Sequence, residues 1–160
     1  MTQHRDFQHL NVPRRNVLIG MGALGLLVSC GPAGPGSATF TAQAAAGMNP
    51  GPDGADRPLT VTILQLRGSG AFDGADFFAL QNPSAALGAD LIKADTIALA
   101  PGGSASKTIV FDPGTSAIGV VAGFRDPAGK QFRAKSAVSP TDTVAFRIEV
   151  GATGLVLVPA

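Results

Sequence analysis

Tryptophan and tyrosine are missing from this 160-residue sequence, and it holds one cysteine and two histidines. A single cysteine, Cys30, leaves no disulfide to be made within the chain. Both histidines, His4 and His9, precede the first apolar run, so no imidazole follows it. Everything after Cys30 is therefore closed to Cys/His zinc centres, thiol nucleophiles and His-based acid–base chemistry. Charge is also scarce, at 14% of residues. Twelve Lys and Arg stand against eleven Asp and Glu, and setting aside Arg5, Arg14, Arg15 and Asp6 leaves nine against ten after Cys30. No basic stripe is present for nucleic acid. No apolar run reaches the roughly 20 residues that a membrane-spanning helix needs.

What is present begins with a leader. Residues 1–16 are polar and net positive, and Val17 to Val28 carries neither charge nor proline, which is an n-region followed by an h-region. The h-region ends in Leu27-Val28-Ser29-Cys30, the shape of a bacterial lipoprotein cleavage site. Cleavage after Ser29 makes residues 1–29 a signal peptide and Cys30 the lipid-bearing first residue of the mature chain. The plainer alternative is a buried thiol after an apolar helix. Arg14-Arg15 fits either a twin-arginine signal or an ordinary positive n-region, so the export route stays open. Gly20-Met21-Gly22-Ala23-Leu24-Gly25 satisfies a dinucleotide-binding glycine pattern, but it lies in the leader and has alanines where the acidic residue belongs.

Residues 30–37 form a Pro/Gly-rich tether, with Gly31-Pro32-Ala33-Gly34-Pro35-Gly36-Ser37 after the cysteine. Such a run reaches at most roughly 23 Å, so the domain stays near the membrane. Several acyl chains, each contributing about 0.8 kcal/mol per buried methylene, anchor it stably. Gly31 stands where an aspartate favours inner-membrane retention in many enteric bacteria, which places the anchor in the outer membrane, periplasmic face.

Residues 38–160 are one domain's worth of chain, long enough to fold without metal or disulfide. Their apolar pattern has mostly period 2. Val144, Phe146, Ile148 and Val150 share one face of a strand over Thr143–Val150, and shorter alternations cover Lys107–Phe111 and Gln131–Lys135. Ile118–Phe124 is apolar on both faces and predicts a central strand. Leu59–Leu66 switches face between Ile63 and Leu64, which predicts a bulge or two-sided burial. Thr96–Ala100, Leu155–Val158 and an alanine-rich segment at Ala38–Ala46 complete about eight strands, and turn sequences such as Asp112-Pro113-Gly114 separate them. The expected class is all-β, a two-sheet sandwich. One helical insertion interrupts it: Asp73 caps a helix through Leu80, Pro83 ends it, and Ser84 caps a second turn near Gly88. Phe77, Phe78 and Leu80 are expected in the core.

In order along the chain stand Asn49-Pro50, Gly54, Arg57-Pro58, a strand ending Gln65-Leu66-Arg67, Phe72, Ala75-Asp76-Phe77, Leu80, Leu87-Gly88-Ala89-Asp90, Pro101-Gly102 and Ile118 to Arg125. That order, with its spacing, resembles TssJ, the outer-membrane lipoprotein family of the type VI secretion system. The resemblance covers roughly residues 38 to 150. Two features depart from the family's pattern: the first strand is rich in alanine, and Phe132 precedes Arg133 where tryptophan is frequent. The resemblance implies a transthyretin-like sandwich, no catalysis, no cofactor beyond the covalent lipid on Cys30, and binding to the periplasmic domain of the inner-membrane protein TssM. It also implies that the loop between the first two strands, residues 47–58, holds the partner. The residues carried over are Met48, Asn49, Pro50, Asp53, Gly54, Asp56, Arg57 and Pro58.

The chemistry of that loop suits recognition. Its prolines restrict the unbound chain, Met48 offers an adaptable apolar contact, and Arg57 and the aspartates offer directional ones. The plainer reading is a solvated connection with Arg57 paired to Asp53 or Asp56. Rival functions fare differently. A transthyretin-related hydrolase of a purine breakdown product resembles a histidine-based site, which is missing. Asp53-Gly54-Ala55-Asp56 is too short and too poor in oxygens for a calcium loop. A periplasmic adaptor or ligand-binding module of another envelope assembly is the alternative.

Overall fold

A computed structural model describes residues Gly34–Ala160; the leader and Cys30 lie outside the described residues. The strands in chain order are β1 (Ser37–Ala44), β2 (Leu59–Leu66), β3 (Leu91–Leu99), β4 (Ser104–Val110), β5 (Ala117–Ala122), β6 (Arg133–Ala137), β7 (Thr143–Gly151) and β8 (Gly154–Pro159). They form two four-stranded sheets, β4-β1-β7-β8 and β3-β2-β5-β6. Every pairing is antiparallel except β1 with β7, which runs parallel in a register that sets Phe40 beside Phe146. The two rings stack with centroids 5.4 Å apart, an arrangement that adds to the area they bury.

The first sheet has one wet face and one dry face, and its sequence alternates accordingly. In β1, Ala38, Phe40, Ala42 and Ala44 point inward while Thr41 and Gln43 face water. The alanines are poor strand formers by propensity, but tertiary burial decides: Ala38 and Ala42 are fully buried between sheets. The outward row is not idle, since the hydroxyls of Thr39 and Thr108 lie 3.0 Å apart across β1 and β4.

The second sheet is covered on both faces. All six residues of β5 are buried. Along β2, Val61 and Ile63 join the inter-sheet core, while Leu64 and Leu66 join a second cluster with Phe72, Leu80, Leu87, Ala117 and Val121. The face switch at Ile63–Leu64 is thus two-sided burial, and a register irregularity against β3 follows at Gln65/Leu66. Gly119 is required by this second layer, because a Cβ there would meet the Phe72 ring at 2.8 Å.

The covering insertion departs from its sequence-based reading. Helix α1 spans Gly70–Gly74, so Asp73 lies inside it rather than capping a helix that runs to Leu80. The chain turns extended at Ala75, and a separate 3-10 turn follows at Ala79–Gln81. The capping role falls to Asp76, whose Oδ1 accepts from the Ala79 N–H at 2.8 Å. Helix α2 spans Pro83–Leu87 with Pro83 at its first turn, where a missing N–H costs nothing, so Ser84 is interior. Phe77 and Leu80 are buried as expected; Phe78 is 77% exposed, because one short turn cannot aim two adjacent rings inward. The strand expected at Thr96–Ala100 begins earlier, at Leu91.

Two further polar residues hold the sandwich together. Gln65, 1% exposed, donates through Nε2 to the Val110 carbonyl at 3.0 Å and accepts at Oε1 from the Asp112 N–H and the Thr115 hydroxyl, each at 2.9 Å. It thereby fixes the turn after β4 from the opposite sheet. The Arg133 guanidinium donates to the carbonyls of Phe72 and Asp73, each at 2.7 Å, and to that of Ala75. It closes the C-terminal end of α1, where carbonyls lack partners.

Candidate functional site

The loop between β1 and β2 is built around a carboxylate. Asp56 accepts from the Gly47 N–H at 2.7 Å, the Asn49 N–H at 2.8 Å and the Arg57 N–H at 3.2 Å. These backbone donors, that of Asn49 foremost, lower its pKa below the ordinary carboxylate value. The Arg57 N–H also donates to the Asn49 carbonyl at 2.9 Å, and Pro50 and Asp56 form an isolated antiparallel bridge. The base of the loop is therefore a knotted ring and not a slack connection.

Asn49 anchors that ring to the domain. It is 4% exposed, donates through Nδ2 to the Pro58 carbonyl at 3.2 Å and accepts at Oδ1 from the Arg125 N–H at 2.8 Å. Met48 is fully buried in the inter-sheet core. Its reading as an adaptable surface contact is corrected: the short step from β1 carries it inward, and its carbonyl accepts from Lys130 Nζ at 2.9 Å. Lys130 in turn lies over the Phe124 ring, 4.9 Å from its centroid.

The tip is organised separately. The Gly54 N–H donates to the Gly51 carbonyl at 3.0 Å, closing a turn with Pro52 and Asp53 at its centre. Pro in the second position presets that turn, and Gly54 follows with φ of +76°, open to glycine without strain. Asp53 Oδ1 accepts from the Ala55 N–H at 3.2 Å, and its Oδ2 meets Arg57 Nη2 at 2.6 Å. Both partners of that ion pair are half exposed, at 51% and 54%, where such pairs contribute at most about 1 kcal/mol. Of the two acids open to Arg57, it takes Asp53.

The carried-over residues thus separate into two groups. Met48, Asn49 and Asp56 build the loop; Pro50, Asp53, Gly54, Arg57 and Pro58 are exposed on it. The turn after β5 adds Arg125, Asp126 and Lys130, which with Asn49, Pro50, Gly51 and Pro52 line an open cleft of about 350 Å³. Asp126-Pro127-Ala128-Gly129 is a turn sequence by composition, but nothing local to it shows that it lies against the loop. Among the described residues, no group of metal-ligating side chains comes together.

Position matters as much as composition. The N-terminal segment joins the domain at the opposite end of β1, where the Gly36 N–H donates to the Pro140 carbonyl at 2.7 Å. The eight residues of β1 separate this attachment from the loop. At about 3.3 Å per residue the two ends are roughly 26 Å apart.

The family model described as "Type VI secretion lipoprotein, VasD, EvfM, TssJ, VC_A0113" matches residues 37–153. No curated protein matches the chain significantly. Among solved structures, the T6SS lipoprotein TssJ1 from Pseudomonas aeruginosa is 30% identical, with a TM-score of 0.72 over 79% of this chain and 98% of that one. Serratia marcescens Lip, a membrane-bound component of the type VI secretion system, is 26% identical, with a TM-score of 0.70 over 78% and 98%. A chain in the structure described as the T6SS protein TssM C-terminal domain (869–1107) from EAEC is 26% identical, with a TM-score of 0.62 over 78% and 98%. With eight strands in two sheets, a short helical insertion and a family match over most of its length, this chain belongs to the TssJ family of type VI secretion lipoproteins.

Proposed function

We propose that this chain is anchored through lipid on Cys30 in the outer membrane, facing the periplasm, and holds the periplasmic part of TssM through the 47–58 loop. In that role it ties the type VI secretion membrane complex to the outer membrane and catalyses nothing. The observation that carries this reading is the placement of the loop: rigid at its base, exposed at its tip, and a full strand's length from the tether. A tethered domain with that geometry presents the tip away from the membrane. The ring around Asp56 lowers the entropy lost on docking, because the bound shape exists beforehand. Pro50, Pro52 and Pro58 offer stiff apolar contact, and Asp53, Arg57, Arg125 and Asp126 offer charge on both signs. The likeness to a chain in a TssM C-terminal domain structure supports the same partner.

The test is a titration of the purified domain with the periplasmic domain of TssM, comparing wild type with Arg57→Glu. Arg57 is exposed and its loss leaves the Asp56 ring untouched. Affinity should fall on the order of tenfold or more, as at interface hot spots, while the melting temperature stays put. Tight binding that ignores Arg57→Glu and a matching Asp53→Arg variant would move the interface elsewhere on the domain. No binding by wild type would favour another envelope partner.

A further inference from the structure

The end of the sandwich where the chain enters carries an apolar face that nothing covers among the described residues. Pro35, Val110, Phe111, Pro113 and Pro140 line a shallow cleft of about 600 Å³ there. Val110, the last residue of β4, is 58% exposed, and together with the prolines beside it makes a contiguous apolar patch, not a lone exposed side chain. The face is also rigid. Gln65 clamps the Val110–Thr115 turn from the far sheet. Gly36 bonds to both neighbouring segments, donating to Pro140 and accepting from the Phe111 N–H at 2.8 Å. No side chain fits at Gly36, since a Cβ would lie 2.1 Å from the Asp142 carbonyl oxygen.

This docking shortens the leash. Composition alone makes 31–37 a free tether, but the chain is already held at Gly36. From Pro35 back to Cys30 is five peptide steps, at most roughly 18 Å of chain. Anything attached to Cys30 stays within that reach of Pro35 and the cleft. Arg67 reaches the same turn, its Nε 4.0 Å from where a Cβ on Gly114 would sit, which brings one cation to the rim of the cleft.

We propose that this face rests on the phospholipid surface, with Pro35, Val110, Pro113 and Pro140 in the interfacial layer. The domain then stands upright with the 47–58 loop pointing away. The inference rests on lipidation of Cys30. Its occupant is the bilayer itself: the short reach from the anchor and the apolar, rigid lining argue for lipid over a second protein.

The test uses the mature lipoprotein purified from membranes and placed in phosphatidylethanolamine/phosphatidylglycerol vesicles. Acylation blocks Cys30, so Val110→Cys provides one reactive thiol for a fluorophore, and Asp53→Cys provides the control at the far end. Nitroxide-bearing lipids should quench the label at 110 several-fold more than the label at 53. Equal quenching at the two positions, with Cys30 shown by mass spectrometry to carry lipid, overturns the upright pose. An unmodified Cys30 overturns the lipoprotein reading beneath it. Selective protection of position 110 by added protein, with no effect of nitroxide lipids, assigns the face to a protein partner and overturns the proposal.

Discussion

Two long connectors flank β2, and they are held by opposite means. The loop before it, residues 45–58, is closed by a carboxylate collecting backbone N–H groups, and most of its side chains face water. The insertion after it, residues 67–90, is closed by apolar burial of Phe72, Leu80 and Leu87 against β2 and β5. A connector held by a few inward side chains on its own backbone leaves the rest free to recognise something. A connector fixed by its side chains has spent them on the fold. That difference, more than loop length or proline content, separates the candidate partner site from the structural insertion.

The sharpest way to break the comparison is Phe72→Ala. The ring is 1% exposed and fills the space above Gly119. Its removal should cost about 3–5 kcal/mol of unfolding free energy in a denaturant titration. TssM affinity of the still-folded fraction should be unchanged. A cost under about 1 kcal/mol would show that the insertion contributes little to the cooperative fold.

Arg133→Met tests the polar part of the same connector. The stem still packs beside Phe72 and Phe132, whose centroids lie 5.8 and 5.4 Å from the guanidinium carbon. The carbonyls of Phe72, Asp73 and Ala75 lose their donor. A loss of about 1–3 kcal/mol is expected. Arg133→Lys should recover little of it, since an ammonium cannot serve three carbonyls with a planar fork. Full recovery by lysine would reduce the role of Arg133 to its charge.

Strand pattern was readable where a residue's fate depends on its own strand. Val144, Phe146, Ile148 and Val150 alternate with polar neighbours, and β7 buries the last three as expected while Val144 is half-buried. The switch at Ile63–Leu64 is compatible with a bulge or with two covered faces, and the fold has two-sided burial there. Legibility failed where the partner is remote in sequence. Nothing near Met48 shows that it turns inward, since its neighbours on both sides are loop residues. The carbonyls that accept from Arg133 lie 58 to 61 residues away, and Arg125 meets Asn49 across 76. Phe77 and Phe78 are indistinguishable by composition; only the 3-10 turn that follows decides which ring is buried.

Asp56→Asn gives the smallest expected change in stability and the most direct view of the loop. The carboxylate accepts from three N–H groups, and an amide can present only one oxygen, so a donor faces a donor in the mutant. The amides of Gly47, Asn49 and Arg57 should lose hydrogen-exchange protection while amides of the sheets keep theirs. Wild type should show the same effect with pH. The folded pKa of Asp56 is lowered from 3.8, so its contribution is fully present above that value and is lost as pH falls through the lower, folded one. The Gly47 and Asn49 amide shifts should therefore titrate with a midpoint below 3.8. A midpoint at or above that value would mean the carboxylate gains nothing from its donors. The loop would then be held by its prolines and by Asn49, and its rigidity would no longer separate it from the insertion by mechanism.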